Sequence, residues 1–341
     1  MKKIIIITIL CSWLSIAAAM KMEPQISLEG YYHSNLLSLS DSNYQRYLDG
    51  EIGSYYDVDS ADDFITNLAV NLKTKNKLFG HTNLVNLNFD YDLYATNKVF
   101  DKMTIGIDTK QYFNRYLDLK IGYSWSPEIY VNNYTSVWDD ARHKYTYSKN
   151  SFFTTMNWNL NKQVTLRYDL DFAQLYYNQY FTEYDAVEME NGAKLIWKLA
   201  NLDLRLGYSY KLSEAQAEEA FDGIAFDGVI KDGSYDANKY KFSFAVPKLF
   251  SLANKDVRWY TSVLWEQRYF DSANMADTYH YGREAERLTV DTSMRYRLNE
   301  STSLKILGSF QNRNTDSIYE QVAAEKTYDA YQVGFNLEFE L

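Results

Sequence analysis

The run NLVNLNFDYDLY, residues 83–94, carries Val85, Leu87, Phe89, Tyr91 and Leu93 at every second position, with Asn86, Asn88, Asp90 and Asp92 between them. A period of two puts the first set on one face of a strand and the second set on the other. The same alternation recurs along the whole chain. Beside 85–93 it appears at 26–32, 64–72, 103–109, 117–125, 152–160, 164–172, 187–197, 202–210, 240–246, 257–265, 288–296, 304–310 and 331–341. That makes about fourteen strands, each with one oily and one wet face.

The connections sort into two kinds. Alternate ones span 36–63, 96–102, 128–146, 178–184, 213–236, 270–284 and 314–326. The others are confined to 74–80, 114–116, 161–162, 199–201, 247–256 and 299–302, several of them two or three residues around Asn. Long and short ends that alternate without a break predict an up-and-down meander with one elaborated rim. Greek-key crossings, as in a soluble sandwich, would mix the lengths.

Fourteen strands enclose more space than their own side chains fill, so the apolar faces are expected to point outward into lipid. A tilted strand of about 9–11 residues crosses the hydrocarbon layer, and these segments reach that length. Trp125, Trp158, Trp197, Trp259 and Trp265 fall toward strand ends, where interfacial girdles sit. The fold class is therefore all-β: a transmembrane antiparallel up-and-down β-barrel of about 14 strands, one domain over residues 20–341. A large soluble sandwich with an aromatic core is the alternative.

The opening MKKIIIITILCSWLSIAAAM, residues 1–20, has a basic start, an apolar stretch and Ala17-Ala18-Ala19. It is expected to be a signal peptide, residues 1–19, cut after Ala19; its apolar run is too short for a spanning helix. Cys11 is the only cysteine and would leave with it, so neither a disulfide nor a thiolate metal site is expected. Loss of Lys2 and Lys3 from 35 basic against 45 acidic residues takes the net charge from −10 to about −12. Such a balance argues against a nucleic-acid partner, which needs a basic surface.

The final run YQVGFNLEFEL alternates Tyr331, Val333, Phe335, Leu337, Phe339 and Leu341 with polar residues. It has to pair with the first strand, because an open sheet edge cannot persist in lipid. This pattern resembles the C-terminal assembly signal of Gram-negative outer-membrane proteins, although the chain ends on Leu341 where that group usually has Phe or Trp. The resemblance implies contact with the barrel-assembly machinery during insertion, and with outer-membrane lipid and lipopolysaccharide afterwards. Strand number, chain size, signal peptide and long outer loops together resemble the OmpG-like fourteen-stranded porins. The likeness covers essentially all of residues 20–341, is architectural, and has no sharp motif behind it.

Enzymes occur on such barrels, so the four histidines need weighing. An omptin-like protease requires Asp-x-His, whereas Asp140 stands three residues before His143 and Asp277 three before His280, a spacing that does not alternate onto one strand face. An outer-membrane phospholipase requires His-x-Ser, and His33-Ser34 puts the two on opposite faces. A serine without a base in reach is not activated, so no enzyme and no cofactor are expected. The acidic run DVDSADD, Asp57 to Asp63, lacks the fifth-position ligand and the glycine of an EF-hand; it reads as a solvated loop.

The wet faces are more informative. They place Asp90, Asp92, Asp108, Asp169, Asp171, Glu188 and Glu190 inward. They place Arg205, Lys239, Lys241, Arg258, Arg268, Arg287, Arg295, Arg297, Lys305 and Arg313 inward as well. So many charges are too costly for a dry interior and imply water, hence a channel. Bases dominate from the ninth to the thirteenth strand, with Asp203, Glu266 and Asp291 as the inward acids there. Three consequences compete: a transverse field, a basic track for anionic sugars, or a wall whose charges neutralise one another, which is the plainer reading.

The outer connections 36–63 and 213–236 are rich in Asp and Glu, which predicts an acidic mouth that attracts cations. Ser213 and Gln216 predict a capping box that opens a short helix over SEAQAEEAF. OmpG-like porins are associated with pH-responsive loop gating, yet no facing histidine pair is evident here, His280 standing alone in its loop. No loop marks itself as an inward-folded constriction, so a monomer is expected. Too few residues precede the first strand for a plug. The expected function is a passive outer-membrane porin for small hydrophilic solutes; the alternatives are an oligouronate-specific channel or a non-conducting adhesin.

Overall fold

The computed structural model describes residues 23–221, 229–253 and 255–340. The expected signal peptide and Leu341 lie outside the described residues, as do Asp222 and Asp227 of the acidic connection.

Fourteen strands form one closed sheet: β1 (Glu23–His33), β2 (Asp63–Leu78), β3 (His81–Tyr94), β4 (Lys102–Tyr112), β5 (Leu117–Thr135), β6 (Arg142–Asn159) and β7 (Val164–Tyr177) make one half. β8 (Ala186–Lys198), β9 (Asp203–Ala215), β10 (Tyr235–Leu252), β11 (Lys255–Phe270), β12 (Glu284–Arg297), β13 (Thr302–Asp316) and β14 (Tyr328–Glu340) make the other. Each strand pairs antiparallel with its sequence neighbours, and β14 closes on β1 with Ile26 opposite Phe339 and Tyr32 opposite Val333. The terminal alternation thus completes the ring and leaves no edge. The shortest strands have 11 residues and the longest 19, enough to cross a bilayer and, for β5 and β6, to project beyond it.

Directly opposed residues share a face, so the registers carry the two faces around the ring without a break. Val333, Ile306, Leu206 and Trp158 lie on the outer face and are each more than half exposed. Aromatic residues gather at two levels of that face. Near the short turns stand Trp158, level with Leu117, and Trp197, level with Val164. Nearer the other rim Tyr240 stacks on Trp265 at 5.4 Å and Tyr208 tilts against Tyr240 at 5.3 Å. This arrangement is that of a band in lipid between two interfacial girdles.

All three prolines avoid the ladder interior. Pro24 stands at the start of β1, Pro127 in the irregularity between Ser126 and Ile129, and Pro247 in that between Val246 and Phe250. Proline has no N–H to donate, so it belongs at strand ends and bulges. These bulges let the ladder continue through two stretches expected to be loops. Residues 128–146 hold the tops of β5 and β6 around a six-residue turn, and 247–256 the ends of β10 and β11. The β2–β3 turn is closed by Phe79 and Gly80, both at positive φ (52° and 78°), as a two-residue hairpin turn demands.

At the long-loop rim the connections fold on one another. The β1–β2 loop contains α1 (Asp41–Leu48), whose Ser40 accepts from the Asn43 N–H, over a small apolar cluster of Leu39, Ile52 and Ala61. The β13–β14 loop contains α2 (Glu320–Lys326). Over SEAQAEEAF, β9 runs on to Ala215 and only Ala217–Phe221 coils, as a 3₁₀ turn; Ser213 is a buried strand residue rather than a cap. Lys144 pairs with Asp57 at 2.6 Å, and the Arg142 guanidinium lies 4.1 Å from the Tyr55 ring. Lys231 from β9–β10 lies over Tyr134, and Tyr319 of the last loop donates to the Met275 carbonyl at 2.7 Å. The loops therefore meet across the mouth, contrary to the expectation that none folds inward. Tyrosine density explains this, since broad rings with a polar tip pack and hydrogen-bond in a wet cap.

Candidate functional site: the inner wall

Every inward residue expected from the alternation falls on one continuous register face. Contacts between side chains two strands apart fix that face as the concave one, because only there do neighbouring walls converge. Lys239 on β10 reaches Glu190 on β8 at 2.5 Å, Lys149 on β6 reaches Glu188 on β8 at 3.2 Å, and Arg295 on β12 reaches Glu338 on β14 at 2.6 Å.

From β2 to β10 the charges mostly cancel. Asp92 takes Lys102 at 3.4 Å and the Asn67 amide at 2.7 Å; Asp108 takes Lys120 at 3.3 Å and the amides of Asn86 and Asn88. Asp169 is held by Arg167 at 2.6 Å and Lys194 at 3.8 Å, while Glu188 also takes Lys211 at 2.5 Å. Asp171 stands opposite Glu190, and Asp90 opposite Thr104. Asp171, Glu190, Lys239 and Lys241 border a cavity of about 510 Å³ beside Phe153.

The wall from β9 to β13 is different. Glu266 is buried and bonds both Arg268 at 2.7 Å and Arg287 at 2.6 Å. Arg205, Lys241, Arg258, Arg297, Lys305 and Arg313 have no carboxylate within ion-pair distance among the described residues. Arg205 instead lies 5.9 Å from the Tyr260 ring. Arg258, Arg295 and Arg297 line a cavity of about 670 Å³ at the short-turn end, where Asp256, Glu300, Glu338 and Glu340 also border it; the net surplus of cations lies farther up the wall. A mutually neutralising network thus describes one part of the wall, and a surplus of cations the other.

Several wall residues escape a reading by apolar alternation. Phe153 points inward over Gly122, where an added Cβ would meet its ring at 2.2 Å; its neighbour Phe152 faces out, and only the phase of Ser151 and Thr155 separates the two. Tyr31 is likewise seated against Gly334, with 2.4 Å from its Cβ to any Cβ added there. At the loop end Tyr147, Tyr177 and Tyr235 share the inward face.

Several acids of the outer loops are engaged by neighbouring groups. Asp62 accepts from Tyr32 at 2.6 Å, and buried Asp63 caps the Thr96 and Asn97 amides, so DVDSADD is pinned rather than merely solvated. Two couplings also differ from the spacing argument. Turns bring His280 to within 2.9 Å of Asp277 and His143 to within 2.8 Å of Asp139, which a strand would keep apart. Ser272 donates to the Asp277 carboxylate, so it is not placed as a nucleophile on the imidazole. Burial pushes His280 down despite Asp277. Two other loop groups are displaced toward neutrality. Burial raises Glu183 to about 7, and burial with the nearby Arg283 and Arg313 lowers Lys326 to about 8. Among the described residues no cluster of three or more metal-ligating side chains occurs.

A closed, even-numbered antiparallel ring with an apolar outer band, a charged inner wall and one elaborated rim defines a transmembrane β-barrel of the Gram-negative outer membrane. No family model matches the sequence, and neither does any curated protein. Solved structures resemble it in overall shape. A bacterial polysaccharide outer membrane secretin is 11% identical over 93% of this chain and 98% of its own, with a TM-score of 0.46. OccAB3 of Acinetobacter baumannii is 10% identical over 94% and 99%, also at 0.46. The anion-selective porin from Comamonas acidovorans is 8% identical over 93% and 98%, at 0.44.

Proposed function

We propose that the chain is a porin: a water-filled passive channel for small hydrophilic solutes, ions and sugars among them. The observation that carries this reading is the inner wall, where charged and amide side chains run from one rim to the other on a single face. Charges at that density need water, and a hydrated path through the ring is a path for solutes. Filtering is then steric and electrostatic, without bond chemistry or a cofactor. The residues taken as pore-lining are those of the two arcs described above, Asp90 to Glu190 and Arg205 to Arg313. The kinship with OmpG-like porins, the monomeric state, and the contacts with lipopolysaccharide and the assembly machinery belong to the same proposal.

A second reading is favoured by one feature, the six inward bases without a carboxylate partner. A cationic strip down one wall would conduct acidic oligosaccharides in preference to neutral ones. Liposome swelling separates the readings. Refolded protein in vesicles should admit neutral mono- and disaccharides at rates that fall with size. Admission of oligouronates alone would favour the specific channel, and no swelling with any sugar would leave an adhesin or structural barrel.

A further inference from the structure

Beneath the joined loops lies a cavity of about 400 Å³ bordered by Arg268, Arg283, Arg313 and Lys326 together with tyrosines that include Tyr134 and Tyr279. We infer that this cavity is a binding site for a carboxylate-bearing sugar, its acid group received by Arg283, Arg313 and Lys326 and its hydroxyls and ring by the surrounding tyrosines. This deepens the channel reading and rests on it for the route by which the ligand leaves the site.

Three observations point to an anionic ligand. Arg283 is only 7% exposed, yet its Nε has no hydrogen-bond partner among the described residues. Its guanidinium lies instead over the Phe270 ring at 3.5 Å. Neither Arg283, Arg313 nor Lys326 has a carboxylate within ion-pair distance among the described residues. The acids nearby are committed elsewhere: Glu266 to Arg268 and Arg287, Glu188, itself on the cavity wall, to Lys149 and Lys211, Asp277 to His280, and Glu325, next to Lys326, to Arg46 and the Gln321 amide. A buried cation without a counter-charge is costly, and buried Arg283 with half-buried Arg313 and Lys326 at one cavity marks the place of an anionic ligand. The lowered Lys326 agrees with this.

The volume lies within the range of small-molecule sites and exceeds what a bare inorganic anion fills. Beside apolar Val131, Leu175 and Phe270, much of the remaining lining is tyrosine, which suits a polyol. Tyrosine offers a flat face and a hydroxyl that donates and accepts. Lys326 and Lys231 each stand 5.5 Å from the Tyr279 ring, which ties the tyrosines to the cations that receive the acid.

The test is calorimetric titration of the refolded full chain in detergent micelles with digalacturonate, and with maltose as the neutral control, at constant sodium chloride. Binding of digalacturonate at least tenfold tighter than maltose is expected. Arg313→Gln and Lys326→Gln should each weaken it at least fivefold, and Lys162→Gln, on a distant turn, should not. Arg283 is buried, so the test rests on the two half-buried cations beside it. Equal affinity for the two sugars, or affinity unchanged in both cation variants, would overturn the site. Because the assay needs no current, binding by a non-conducting barrel would uphold the site and sink the channel. Conduction without binding would do the reverse.

Discussion

At the scale of single residues, two groups displaced toward neutrality, Glu183 and Lys326, lie in the loops over the mouth. Glu183 is 1% exposed and its carboxyl is raised to about 7 by burial, against the opposing Lys231 and Trp138. Its folded value exceeds its ordinary one, so the packed loop gains stability below about 4.5 and loses it as pH rises through about 7. The loss is on the order of 1–3 kcal/mol locally. Protection factors over 178–185, corrected for the intrinsic pH dependence of amide exchange, should therefore be higher at pH 5 than at pH 8, and Glu183→Gln should abolish the difference. Lys326 behaves in the opposite sense in charge, becoming neutral above about 8. Anion preference should fall between pH 7 and pH 9.5, and a flat profile in Lys326→Gln would assign the change to that side chain.

At the scale of elements, closure depends on the seam between β1 and β14. Gly334 admits no side chain, because an added Cβ would stand 2.4 Å from the Gly30 carbonyl oxygen and from the Tyr31 Cβ, both on β1. Gly334→Ala should destabilise the barrel by about 1–3 kcal/mol, read as a lower urea midpoint for loss of the heat-modifiable form. Within the wall, Glu266→Gln would leave Arg268 and Arg287 without their shared carboxylate. Reversal potentials should then move toward anions; no movement would place this trio outside the conducting path. Strands are also where the sequence speaks most plainly. A period of two survives any loop, so β3 or β14 is legible from its own dozen residues, and with it the inward phase of Asp90 or Arg295. The turns are not legible in the same way. The hairpin β5–β6 continues past Pro127 because a bulge absorbs the missing donor, and alternation gives no sign of a bulge. Phe153 is hidden beside Phe152 for a similar reason, since two adjacent aromatics leave the phase open.

At the scale of the molecule, the loops decide how open the barrel is. Their acids suggest a cation-attracting mouth, but Asp57, Asp62, Asp63 and Asp277 are bound to other loop groups, and bases and tyrosines border the cavity below. Long-range pairing of that kind cannot be read from composition, because it depends on which loops meet. Removing residues 229–234 deletes the Lys231 contacts with Tyr134 and Tyr279 and the Asp232 amide bond to Asp277. Single-channel records of that deletion should show a longer-lived open level with fewer closures; unchanged closures would mean that this loop does not gate. The most direct measurement for the account is planar-bilayer conductance of the refolded barrel in a salt gradient. Stable steps, with a reversal potential displaced toward anions by the surplus bases of β9 to β13, are predicted. Correctly folded, heat-modifiable protein that inserts and carries no current would contradict the channel.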